Sequence, residues 1–198
     1  MKKITMFAAA ALAALAAGAA QADPVYPAPG TANATTYTFE AVATGEVYAY
    51  FMSESAYYSE VLGMSTPGST TPIGAVGLDN QTSTRGQWID LGHVVQNQVV
   101  TFYINVTSTG LTFSSDATQS HDHAQHIYST SYAGSVSPYI PAGTYVSFED
   151  LDGPGSDHDY NDTAFVFTNV TAVPEPGNVA FLAAGLGLLG VAARRRRG

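Results

Sequence analysis

Val99-Val100-Thr101-Phe102-Tyr103-Ile104-Asn105-Val106 decides the fold class. Val100, Phe102, Ile104 and Val106 are apolar and, at a side-chain period of two, share an inward face, while Thr101, Tyr103 and Asn105 are expected to point outward. β-branched and aromatic residues fill the stretch, which suits a pleated, half-buried surface. The alternation recurs on both sides. Residues 36–43 put Tyr37, Phe39, Ala41 and Ala43 on one face, Thr44-Gly45 turns the chain, and residues 46–52 alternate again, so a hairpin is expected there. Residues 143–149 and 163–170 repeat the pattern, and nothing between residues 35 and 172 carries a 3.6-residue apolar period. Strands punctuated by Gly, Pro, Ser and Thr clusters predict an all-β domain over residues 35–172, an antiparallel β-sandwich or jelly-roll-like fold. Residues 65–72 read as an exposed loop, and residues 23–34, with Pro24, Pro27 and Pro29, as a flexible leader.

Charge divides the chain sharply. Of seven Lys and Arg residues, Lys2 and Lys3 stand at one end and Arg194, Arg195, Arg196 and Arg197 at the other. Residues 23–173 carry Arg85 alone against fifteen acids, a net charge of −14. Nucleic acid is an unsuitable partner for such a polyanion, because binding it requires Lys and Arg to neutralise phosphates. The chain has no cysteine, which excludes disulfides, thiolate zinc sites and cysteine nucleophiles.

Lys2 and Lys3 precede an alanine-rich apolar run over residues 4–20, closed by Ala20-Gln21-Ala22. Basic region, apolar region and small-residue box in that order predict a secretory signal peptide over residues 1–22, helical in its apolar part. At the far end Pro174-Glu175-Pro176 leads to an apolar run over residues 179–193 and then to the four arginines. Fifteen apolar residues are short against the roughly 20 that span a bilayer comfortably, yet the arginines orient them, since positive charge stays on the cytoplasmic side. A C-terminal transmembrane helix tethering an exported body is expected.

This tail resembles the PEP-CTERM sorting signal of Gram-negative bacteria, which would span residues 173–198. The resemblance implies recognition of Pro174, Glu175, Pro176 and the arginine cluster by an exosortase, a membrane-embedded cysteine transpeptidase or protease. It also implies a transient inner-membrane anchor, followed by transfer to the outer surface or release.

Six carboxylates crowd residues 149–162: Glu149, Asp150, Asp152, Asp157, Asp159 and Asp162. Like charges this close need solvent or a cation to coexist. Calcium takes six to eight oxygen ligands in flexible geometry, so these carboxylates with the Asn161 amide are candidate calcium ligands. Asp157, Asp159 and Asn161, at alternate positions, can converge from a curved loop, and Gly153 and Gly155 permit a tight path that brings Asp150 and Asp152 alongside. An EF-hand does not fit: counted from Asp157, the sixth and twelfth residues are Asp162 and Thr168 rather than Gly and Glu. His121, His123 and His126 form a candidate second metal site of the zinc or copper type. Ser, His and Asp are present, but no spaced catalytic signature organises them, and no enzymatic activity is expected.

Phe148-Glu149-Asp150-Leu151, a glycine-rich step and Asp157-x-Asp159-Tyr160-Asn161-Asp162 before an alternating strand are similar to the bacterial extracellular family called domain of unknown function 4114. Asp122-His123 looks like that family's upstream Asp-His pair, and Leu91-Gly92 resembles the entry to an earlier strand. The resemblance implies an all-β sandwich and is compatible with calcium. The expected function is that of an exported, exosortase-processed protein of the cell surface or extracellular matrix, acting in adhesion or biofilm structure beside polysaccharide or other matrix components. A calcium-dependent carbohydrate-binding module, using exposed tyrosines, is the alternative; a metal-dependent hydrolase using the three histidines and the acidic loop is the third reading.

Overall fold

The computed structural model describes residues 22–175. The expected signal peptide up to residue 21, the membrane segment at 179–193 and the arginines at 194–197 lie outside the described part. Among the described residues no helix is long and apolar enough to cross a membrane.

The chain is all-β, with two single 3-10 turns as its helical content among the described residues. In order the strands are β1 (Tyr37–Ala41), β2 (Gly45–Glu54), β3 (Glu60–Ser65), β4 (Gly77–Asp79), β5 (Trp88–Val94), β6 (Val99–Val106) and β7 (Leu111–Ser114). There follow β8 (Ile127–Tyr132), β9 (Ser135–Val136), β10 (Tyr139–Ile140), β11 (Gly143–Phe148), β12 (Thr163–Phe167) and β13 (Val170–Pro174). One sheet runs β13-β1-β6-β3-β4, with β7 also on β6; the other runs β5-β2-β12-β11-β8; β9 and β10 form a separate pair. The ladders joining β1, β6 and β3 and those joining β5, β2, β12, β11 and β8 are antiparallel.

Alternation sets which side chains meet. Phe39, Leu62, Met64, Phe102 and Ile104 from the first sheet and Val47, Phe51, Phe148, Phe165 and Phe167 from the second enter one buried apolar cluster. Phe102 of β6 stacks on Phe167 of β12 with ring centroids 3.8 Å apart and planes 17° from parallel, a direct contact between the sheets. A smaller cluster of Met52, Tyr132, Ile140, Tyr145, Ala164 and Val166 covers the opposite face of the second sheet.

Three expectations about strands are corrected. β1 and β2 are not a hairpin: β1 pairs with β13 and β6, whereas β2 pairs with β12 and β5. The turn between them is bonded to Asn169, whose carbonyl accepts Val42 N at 3.0 Å and whose Oδ1 accepts Ala43 N at 3.0 Å, so the chain crosses from one sheet to the other. The same Asn169, at φ 61, breaks residues 163–170 into β12 and β13. Thr101 and Tyr103, on the face of β6 expected to point outward, are buried there. Gly63 is directly across from Tyr103, and a Cβ there would lie 2.3 Å from the ring, so the missing side chain lets the tyrosine lie across β3.

Residues 23–34 pack on the body. Arg85 Nη1 and Nη2 donate to Asp23 at 2.7 and 2.6 Å. Tyr26 sits edge-on to Tyr128 and Tyr160, and Asn33 Nδ2 donates to the Ile127 carbonyl at 2.8 Å.

Candidate metal centre

The acidic stretch leaves β11 extended, and neighbours on extended chain face opposite ways. Val146 and Phe148 enter the inter-sheet core, so Asp150 continues inward and Glu149 takes the other side. Residues 157–161 then curve through two left-handed residues, His158 at φ 54 and Tyr160 at φ 53. Asp157 Oδ1 accepts Asp159 N at 3.3 Å, and Asp159 Oδ1 accepts Asn161 N at 3.2 Å, so each acid braces the next alternate residue.

A bulky residue at positive φ costs about 1–3 kcal/mol and persists where its surroundings over-determine it. Tyr160 is so held: its ring is buried, its hydroxyl accepts Asn33 N at 2.8 Å and donates to the Gln125 carbonyl at 3.3 Å, and its N–H donates to Glu149 Oε2 at 3.4 Å.

The result is a convergence. One carboxylate oxygen from each of Glu149, Asp157 and Asp159 lies within 4.8 Å of the other two. Ligands about 2.3–2.6 Å from a calcium ion are separated by at most about 5 Å, so this spacing suits one shared ion. Burial, with the Asp157 and Asp159 charges, holds the Glu149 carboxyl above its ordinary value against hydrogen bonds from Ser156 and Tyr160. Burial and the Asp157 charge do the same to Asp159, opposed by Asn161. Proximity therefore raises the cost of ionisation, which a cation would offset.

The other four predicted ligands stand elsewhere. Asp150 and Asp162 are joined to each other, Asp162 Oδ2 accepting Asp150 N at 2.7 Å. Burial, then the Asp150, Glu149 and Asp159 charges, push Asp162 up to about 8 although that N–H opposes them. Asp152 faces His121, 3.7 Å away. Asn161 is exposed, and its amide nitrogen is tied to Asp159 Oδ2.

The histidines do not share a ligand point. His121 turns to Asp152, and His123 Nδ1 lies 2.9 Å from the Thr118 carbonyl. His126 is buried against Phe113, with Nδ1 3.0 Å from the Glu149 carbonyl and Nε2 2.9 Å from Asp122 Oδ1. Both partners are acceptors, so both contacts are made when both nitrogens carry hydrogen. Asp122 Oδ2 also accepts Gly153 N at 3.4 Å. Burial opposes ionisation of Asp122, but the Ala124 N–H and His126 outweigh it and hold the carboxyl below its ordinary value. Together Asp122 and His126 brace the acidic loop from its flank.

Two further placements matter. β13 carries the Pro-Glu-Pro glutamate back to β1, where Glu175 N donates to the Thr36 carbonyl at 2.9 Å and Thr38 Oγ1 donates to Glu175 Oε1 at 2.6 Å. On the second sheet Trp88, 57% exposed, stands between Tyr48 and Tyr50 at centroid distances of 5.6 and 6.5 Å. A buried acid absent from the predicted ligand set, Glu60, begins β3. Its legible signal is a charge at the inward parity of Leu62 and Met64.

Residues 172–197 match the PEP-CTERM protein-sorting motif. That motif marks an exosortase-targeted exported protein, anchored transiently in the membrane before surface release. No curated protein and no solved structure matches the chain. Nothing in these comparisons supports the body's resemblance to domain of unknown function 4114.

Proposed function

We propose that the exported body is a calcium-stabilised β-sandwich serving a structural or adhesive role at the cell surface or in the extracellular matrix. The observation that carries the calcium reading is the convergence of Glu149, Asp157 and Asp159 on a point that all three carboxylates can reach. All donors are oxygens, which suits a hard cation of flexible coordination, with carbonyls and water completing the shell. Asp150, Asp152, Asn161 and Asp162 are not assigned to this ion.

The binding site tests by linkage. At free calcium one hundred times Kd, the native state gains about 2.7 kcal/mol, or roughly 5–10 °C in Tm for a domain of this size. The double variant Asp157→Asn, Asp159→Asn should show a calcium shift smaller by that amount. An equal shift in both chains rejects the loop. The delivery route has its own test: cells without exosortase should retain the chain uncleaved in the membrane fraction, and unchanged processing there contradicts it.

A second reading, carbohydrate binding, is favoured by the exposed Trp88 between two tyrosines, because aromatic faces stack on the apolar faces of sugars. Glycan-array binding lost on Trp88→Ala would support it; no binding by the parent chain would discard it.

A further inference from the structure

Three polar side chains occupy inward positions at one end of the apolar core, each on a different strand. Glu60 shares the parity of Leu62 and Met64 on β3, is 1% exposed, and neither of its carboxylate oxygens has a hydrogen-bond partner among the described residues. Asp150 continues the Val146 and Phe148 parity beyond β11; it is 3% exposed and its Oδ2 is likewise unpartnered. Thr163 opens the Phe165 and Phe167 parity on β12, with 0% exposure and an unpartnered Oγ1. Register puts Thr163 opposite Phe148, two residues before Asp150, and the Glu60 carboxyl lies beside that of Asp150.

The chemistry of this corner is one-sided. Ionised carboxylates only accept hydrogen bonds, so Glu60 and Asp150 cannot satisfy each other. Leaving such groups dry and uncompensated is strongly unfavourable. Among the described residues no basic side chain compensates them. Arg85, the only Lys or Arg in residues 23–173, is engaged by Asp23 and the Met52 carbonyl.

We propose that Glu60, Asp150 and Thr163 form a buried second site for a divalent cation, calcium by ligand chemistry, which staples β3 of one sheet to β11 and β12 of the other. Four unpartnered oxygens and no nitrogen or sulfur donor select a hard ion. Calcium tolerates such an irregular set better than magnesium, which demands near-ideal octahedral geometry. One divalent charge balances Glu60 and Asp150 together. The competing occupant is a proton: burial first, then the adjoining Asp150 carboxyl, push Glu60 up to about 10. A proton neutralises a single carboxylate of the pair. The site shares no side chain with the Glu149, Asp157 and Asp159 ion and does not depend on it.

Counting bound calcium tests this. The full chain, purified in detergent and stripped of metal, is titrated with calcium and weighed by native mass spectrometry. The parent should bind two ions, Glu60→Gln one, and Asp157→Asn with Asp159→Asn one. A parent that binds a single ion lost only with Glu60→Gln defeats the loop reading and leaves the buried site standing. Equal ion counts in the parent and Glu60→Gln overturn the buried site, and the proton is then the occupant. Should Glu60→Gln fail to fold, Thr163→Val removes one oxygen at nearly constant shape. It should weaken one binding step by at least the roughly tenfold that losing an outer-shell contact costs; two unchanged steps overturn the proposal.

Discussion

Stripped of divalent cations, the chain should become more stable as pH falls from 8 to 5, opposite to the usual loss of carboxylate pairing in acid. Glu60 is the main cause, its folded pKa pushed to about 10 by burial and by Asp150 from an ordinary value of 4.5. Between those values the unfolded chain releases the proton and the folded chain keeps it. The native state then binds more protons, and stability falls as pH rises. Each pH unit is worth about 1.4 kcal/mol per group, so Glu60 alone removes about 3 kcal/mol between pH 5 and pH 7. Asp162, at about 8, acts in the same direction over the window from its ordinary 3.8. Asp116 and Asp122 are held below 3.8 and act oppositely, but only as pH drops below that value. Urea unfolding of metal-free chain at pH 5, 6, 7 and 8 reads the effect. With m of about 2 kcal/mol/M, 3 kcal/mol moves the midpoint by roughly 1.5 M. Glu60→Gln should flatten the profile, and added calcium should restore stability most at high pH. A midpoint that climbs from pH 5 to pH 8 in the metal-free parent would refute the assignment of Glu60 as a buried, unpaired acid.

Phe167→Ala removes one ring of the inter-sheet stack and should cost about 3–5 kcal/mol in chemical unfolding, with the fold retained by circular dichroism. A cost under about 1 kcal/mol would contradict the packing. Tyr160→Phe deletes the hydroxyl that accepts Asn33 N and should cost about 1–3 kcal/mol while weakening calcium binding at the loop, measured by calorimetry. Gly63→Ala drives a methyl into the Tyr103 ring and should cost about 1–3 kcal/mol; combined with Tyr103→Ala, the two losses should be less than additive.

Faces were more legible than partners. The alternation of Val100, Phe102, Ile104 and Val106 identifies the inner side of β6, because a period of two assigns sides from sequence alone. It says nothing about which strand lies alongside. Residues 36–52 look like a hairpin, yet Asn169 captures their turn from 126 residues away and sends the two strands to different sheets. The acidic loop shows the same limit. Its density of carboxylates is plain, but adjacent Glu149 and Asp150 leave on opposite sides of extended chain, dividing the expected single ligand set between the loop and the core. Glu60 belongs with Asp150 through tertiary contact across the sheets, and its local trace is a charge in an apolar parity. The histidines lie within six residues, but turns at 117–126 aim them at Asp152, Thr118 and Asp122 separately.

A crystal structure of the body grown in calcium tests the account most directly. It should contain an ion about 2.3–2.6 Å from carboxylate oxygens of Glu149, Asp157 and Asp159. A well-ordered loop in saturating calcium with only water among those three carboxylates would contradict it.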